Sequence, residues 1–175
     1  MQFIGRLTMA LVLFLSGLRL SATLMTPLPV EELTQRADLI LHGTVTSQTC
    51  QRSPEGRIYT RVELQVSEVW KGSLTTNRFS IVHSGGTVGN IRTEVSGQVR
   101  YEVGEEVVAF LVLNSRGEGV TLGLAQGKFH VWQDKQTGEK FARNPFHGVR
   151  EQASPGENPT ERLTLQALAA RAKAG

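Results

Sequence analysis

The sequence predicts a mostly β protein: a small antiparallel OB-like β-barrel with a short N-terminal helix and a C-terminal helix. Three observations carry this. Residues 61–67 (RVELQVS) alternate apolar and polar side chains, the period of a strand with one face on a core and one in water. Residues 107–113 (VVAFLVL) form a continuous apolar run, as in a strand covered on both faces. Glycine-bearing turns separate six or so such segments, the spacing of a small barrel closed on itself.

The order of elements follows from local chemistry. Thr26-Pro27-Leu28-Pro29 is a stiff entry, and residues 30–37 read as a helix with Glu31 and Glu32 in its first turn and Arg36 in its last. Residues 39–46 are a strand. Gln51 to Gly56 carries turn residues, so this strand and 61–67 make a long hairpin closed by Val69-Trp70-Lys71-Gly72. Residues 79–83 form a third strand ending at Ser84-Gly85-Gly86. From Thr87 to Arg100 the chain is polar and glycine-punctuated, an ordered excursion with one short strand. After the 107–113 strand, residues 114–119 turn, 120–124 return and 128–132 give the last core strand. Asp134 to Glu139 then turns into Lys140-Phe141-Ala142. Residues 143–159 read as an exposed loop. Leu163, Leu165, Leu168, Ala169 and Ala172 recur at helical spacing, so 160–175 is a helix packed on the barrel, capped by Thr160 or Thr164.

Location comes from the first 22 residues. Arg6 precedes an apolar run over 7–18, and Ser21-Ala22 follow, the order of a secretory signal peptide. The run falls short of the roughly 20 residues a span needs, so the leader is read as removed and no stable membrane anchor is expected. Arg19 and Leu20 crowd the cut, which leaves an uncleaved anchor as the alternative. The barrel domain is then 23–142, and the protein is periplasmic or secreted.

Charge names no partner. The chain carries a formal +3, but Arg6 and Arg19 lie in the leader, leaving 17 Lys and Arg against 16 Asp and Glu. Both signs are interspersed with no basic run, so nucleic-acid binding is not expected. Cys50 is the single cysteine. It excludes a disulfide framework within one chain and is either a thiol that pairs between chains or a partly buried small residue at a strand end.

Several segments in order resemble a family of uncharacterised exported bacterial proteins: 37–45 (ADLILHGTV), 66–72 (VSEVWKG), 84–86 (SGG), 103–111 (VGEEVVAFL) and 123–129 (GLAQGKF). That resemblance implies a compartment and a shape but no activity. The first two segments also resemble the opening of netrin-type OB barrels, which include the tissue inhibitors of metalloproteinases. Those inhibitors act through an N-terminal cysteine and several disulfides, and this chain has only Cys50. The resemblance therefore implies the barrel, not inhibition by that route.

Candidate chemistry is sparse. The four histidines, His42, His83, His130 and His147, lack the close spacing of zinc ligands. Gly85-Gly86-Thr87-Val88-Gly89 and Gly127-Lys128 are not phosphate loops, and no Gly-x-Ser-x-Gly elbow exists. Glu105 and Glu106, as strand neighbours, point to opposite faces and do not share a proton. His83 ends a strand beside Gly85 and Gly86, where backbone amides can face a ligand or the glycines merely permit a tight turn. Trp70, Tyr101, Phe129 and Trp132 form either an aromatic platform for a glycan or peptide, or core. No cofactor and no catalytic residue is expected. The sequence points to a non-enzymatic binding module with His83, Gly85, Gly86, Trp70 and Trp132 as ligand-binding candidates and one face of the barrel with the Ser84–Arg100 excursion as its contact surface, acting on an envelope protein or an extracellular polymer. The alternative is an accessory or inhibitor of a secreted protease. A hydrolase using His83 is a third class.

Overall fold

The computed structural model describes residues 26–147 and 162–174. The expected leader, Thr160 and residues 148–159 of the expected loop lie outside them. The chain is mostly β, with two short helices, α1 (Val30–Arg36) and α2 (Leu165–Ala174), at its ends. Among the described residues no helix is long and apolar enough to cross a membrane.

Strands β1 (Leu39–Arg52) and β2 (Ile58–Lys71) form an antiparallel hairpin, registered from Arg52 opposite Ile58 to Ile40 opposite Lys71. The turn over 53–57 fixes that register: the Ser53 amide donates to the Arg57 carbonyl (2.8 Å), and Gly56 takes φ 83°. Strand β3 (Arg78–Ser84) lies against β2, with Thr60 opposite His83. The chain then leaves the sheet for a two-stranded ribbon, β4 (Gly86–Val88) and β5 (Ile91–Thr93). It returns as β6 (Glu106–Leu113), β7 (Gly119–Thr121), β8 (Lys128–Gln133) and β9 (Lys140–Arg143). The seven-stranded sheet runs β1-β2-β3-β7-β6-β8-β9, and β6 also pairs with β1 from Leu39 opposite Leu111 to Thr44 opposite Glu106.

Four expectations need correction. The sheet is mixed rather than wholly antiparallel, because β7 meets β3 in parallel at Ile81 and Gly119 after the excursion has carried the chain to the far side. The excursion holds two short strands, not one. The returning strand stops at Thr121; Leu124 sits at φ 60° in a turn. Arg143 belongs to β9 rather than to a loop, and Asn144 to His147 are held by Asn144 Oδ1, which accepts from the Phe146 and His147 amides.

Two apolar clusters flank the sheet, and strands β1 and β6 serve both. Leu39, Leu41 and Val45 join Val107, Ala109 and Leu111 in one cluster with Leu64, Ile81, Val99 and Tyr101. Ile40, Val108 and Phe110 join the other, under α1 and α2, with Phe129, Leu33 and Leu168. Burial on both faces is why these strands read as continuous apolar runs. Helix α2 is capped by Thr164, whose hydroxyl accepts from the Ala167 amide (3.0 Å). The Arg171 guanidinium bridges to Glu31 on α1 (2.7 and 3.0 Å), and that hydrogen bonding holds the Glu31 carboxyl down at about 2.

Leu168 is fully buried against the second cluster. Leu168→Ala is expected to cost about 2–5 kcal/mol of unfolding free energy while near-native strand circular dichroism persists. Chemical denaturation followed by far-ultraviolet circular dichroism checks it.

Candidate functional site

A cleft of about 890 Å³ opens where β1 and β2 run past the end of β6. Its floor is one row of side chains across three strands. Cys50 stands opposite Thr60, and Thr60 opposite His83, so all three share a face. The ribbon and the following stretch from Glu94 to Glu102 form its other wall. Neutral hydroxyl and amide groups, among them Gln48, Thr87, Thr93 and Gln98, supply much of the lining. The charged members offset one another: Arg92 pairs with Glu94, Arg100 lies 3.8 Å from Glu94, and Glu102 adds a second acid.

Glycine is required at the junction between β3 and β4. Gly85 and Gly86 hold φ 88° and 134°, a region side chains disfavour. A Cβ on Gly86 would stand 2.7 Å from both Cys50 Sγ and Thr60 Oγ1, so the backbone lies directly on the floor. The Thr60 hydroxyl donates to the Gly85 carbonyl (2.8 Å) and contacts Cys50 Sγ at 3.4 Å. The Gly85 amide is spent on the Ile58 carbonyl (3.0 Å), so it does not face a ligand.

His83 is the chemically distinctive member. Its Nδ1 lies 3.0 Å from the Ser84 carbonyl, and a carbonyl only accepts, so Nδ1 carries the proton in the neutral ring. Nε2 is then a bare acceptor. It is screened from solvent and has no hydrogen-bond partner among the described residues. Burial pushes the His83 pKa below its ordinary 6.5, outweighing the Ser84 contact. The ring stacks on Tyr101 (6.4 Å, 25°). Tyr101 is itself buried, its phenol pKa raised by desolvation and its hydroxyl 2.8 Å from Thr121 Oγ1.

The structure brings three of the five sequence candidates together: His83, Gly85 and Gly86 all line the cleft. Trp70 and Trp132 do not. Trp70 is buried beneath α2, its indole N–H donating to Glu68 (3.1 Å). Trp132 is half-buried on β8, away from the cleft, between His130, Phe141 and Arg143. Phe129 is core and Tyr101 belongs to the opposite cluster, so the four aromatics form no common platform. Cys50 is half-buried in the floor and two residues short of its strand's end. Sequence reading placed the contact surface on the Ser84–Arg100 excursion, most of which lines the cleft, but missed Gln48, Thr60 and Glu102 as site members. The turn at 53–57 was the available signal, since it fixes which residues of the hairpin stand opposite each other.

A second polar cluster is structural. Buried His42 lies 2.7 Å from Glu106 through Nε2, and Lys140 donates to the same carboxylate (2.8 and 3.0 Å). Burial would raise the Glu106 pKa, but the Lys140 and His42 hydrogen bonds hold it below the usual range. Glu105, on the opposite face as expected, takes Lys128 and His130. Among the described residues no group of three or more His, Cys, Asp or Glu is placed to hold a metal. No protein-family model and no curated protein matches the chain.

The depressed pKa of His83 has a signed consequence. Between its folded pKa and 6.5 the unfolded chain binds more protons, so stability falls on acidification through that window, and the loss is complete below the folded value. His83→Gln is expected to remove that loss, seen as a flatter melting temperature against pH below 6.5. Gly86→Ala combines a disfavoured φ with a steric clash, and is expected to cost about 1–3 kcal/mol in the same denaturation assay.

Proposed function

We propose that this chain is an exported, non-enzymatic binding module of a bacterial envelope, built on an OB-like barrel, whose ligand enters the cleft at His83, Gly85 and Gly86. The cleft carries the reading: its floor is the Cys50–Thr60–His83 row, and its far wall begins at Gly85 and Gly86. The cleft volume is in the range of ligand pockets. The barrel reading is supported by five strands whose pairing runs β1-β2-β3-β7-β6 and back to β1. Export is supported by the leader over 1–22 and by the resemblance to exported proteins.

The test is capture from native envelope extract with tagged residues 23–175, wild type beside His83→Leu, both confirmed folded by circular dichroism. The expected outcome is a component held by wild type and reduced at least tenfold with the variant. Identical retention by both proteins, or turnover of a captured component, contradicts the reading.

A further inference from the structure

Strand β1 changes its neighbours halfway along. From Ile40 to Thr44 it pairs with β2 on one side and β6 on the other. The Val45 amide still donates to the Glu105 carbonyl and the Val45 carbonyl accepts from Gly104. A bulge between Val45 and Ser47 follows. Beyond it, β1 continues against β2 alone.

The hydrogen-bond phase of that free half can be read from its turn. Ser53 directs its amide at β2, through the Arg57 carbonyl. Backbone groups alternate along an antiparallel strand, so Gln51 and Thr49 also face β2, while Arg52, Cys50 and Gln48 face the open side. Among the described residues no strand occupies that side. The edge begins at a bulge and the Gln48 side chain donates to the Tyr101 carbonyl, but its own residues do little to blunt it. Ser47-Gln48-Thr49-Cys50-Gln51-Arg52 holds no proline, no lysine and a single charge, where exposed edges are ordinarily blunted by such residues. Strand β9 at the far end of the sheet is treated differently: Phe141 bridges Thr164, and the Ala142 amide donates to the Leu163 carbonyl.

Gln48 and Cys50 belong to this edge and also line the cleft. We infer that the ligand is an extended polypeptide segment of a partner protein, which adds as a strand to the open edge of β1 at Gln48, Cys50 and Arg52 and places side chains in the cleft. This rests on the reading of the cleft as a binding site and names its ligand class. Six edge residues span about 20 Å, enough for a segment of five or six residues. Residues of the docked strand opposite Gln48 and Cys50 turn their side chains to the face that carries Thr60 and His83. The offset charges and the hydroxyl and amide lining suit uncharged, hydrogen-bonding side chains. A glycan fits less well, because the aromatic ring in the cleft, Tyr101, is buried and stacked on His83 rather than open to a sugar face.

The probe is a display library of eight-residue peptides panned on the mature protein, with hits remade as free peptides in two sets, N-methylated at alternate residues. Strand addition uses every second peptide amide, so one set is expected to lose at least tenfold in affinity and the other to bind like the parent. Equal loss or no loss in both sets overturns the inference. A neutral oligosaccharide array run in parallel separates the two claims. Glycan hits abolished by His83→Leu, with no peptide hit, keep the binding site and overturn the peptide. Silence in both screens overturns both. A protein that is already dimeric in solution, and turns monomeric in Cys50→Pro, has its edge filled by a second copy, and the inference fails.

Discussion

The structure depends on one constraint: β1 has two hydrogen-bonded neighbours in its first half and one in its second. While both are present, every side chain from Leu39 to Leu41 is buried, and β1 binds the two apolar clusters into one body. Gly43 marks how tightly the strands approach, since a Cβ there would meet the Gln65 carbonyl. Once β6 falls away, the same strand becomes polar and exposed. The space it leaves is the cleft.

That division sorts the polar groups. Away from the cleft, buried polar side chains have at least one partner: His42 Nε2 meets Glu106, Glu118 takes Arg61 and Asn114, and Gln126 accepts from the Leu28 amide. At the cleft the pairing is incomplete, and His83 keeps a bare nitrogen. His42 Nδ1 and Arg61 Nε are likewise buried without a hydrogen-bond partner among the described residues, so what sets His83 apart is its place in the cleft. The exacting glycines stand beside it, because the chain must cross Cys50 and Thr60 at van der Waals distance to form the far wall.

Much of the fold was legible wherever burial imposes a pattern. The alternation over 61–67 located β2, and the apolar run over 107–113 located β6. The second half of β1 was not legible: residues 46–52 are all polar or small, so no periodicity distinguishes an exposed strand from a loop. The ribbon escaped for a related reason, each of its strands having three residues and little apolar content. At the site, His83, Gly85 and Gly86 were legible because a strand ending in paired glycines has few conformations open to it. Gln48 and Thr60 were not, since they join the cleft through register across strands, which composition does not carry. Trp70 and Trp132 misled because an aromatic residue in a strand looks the same whether it faces a ligand or a helix.

Residue-resolved amide hydrogen exchange on the mature protein tests the central claim most directly. The account predicts alternation along β1: slow exchange at Thr49, Gln51 and Ser53, whose amides face β2, and fast exchange at Gln48, Cys50 and Arg52. Uniform protection across all six would mean that the edge is already paired, and would contradict the account. Uniformly fast exchange would contradict it too, since β1 would then not be a strand beyond its bulge.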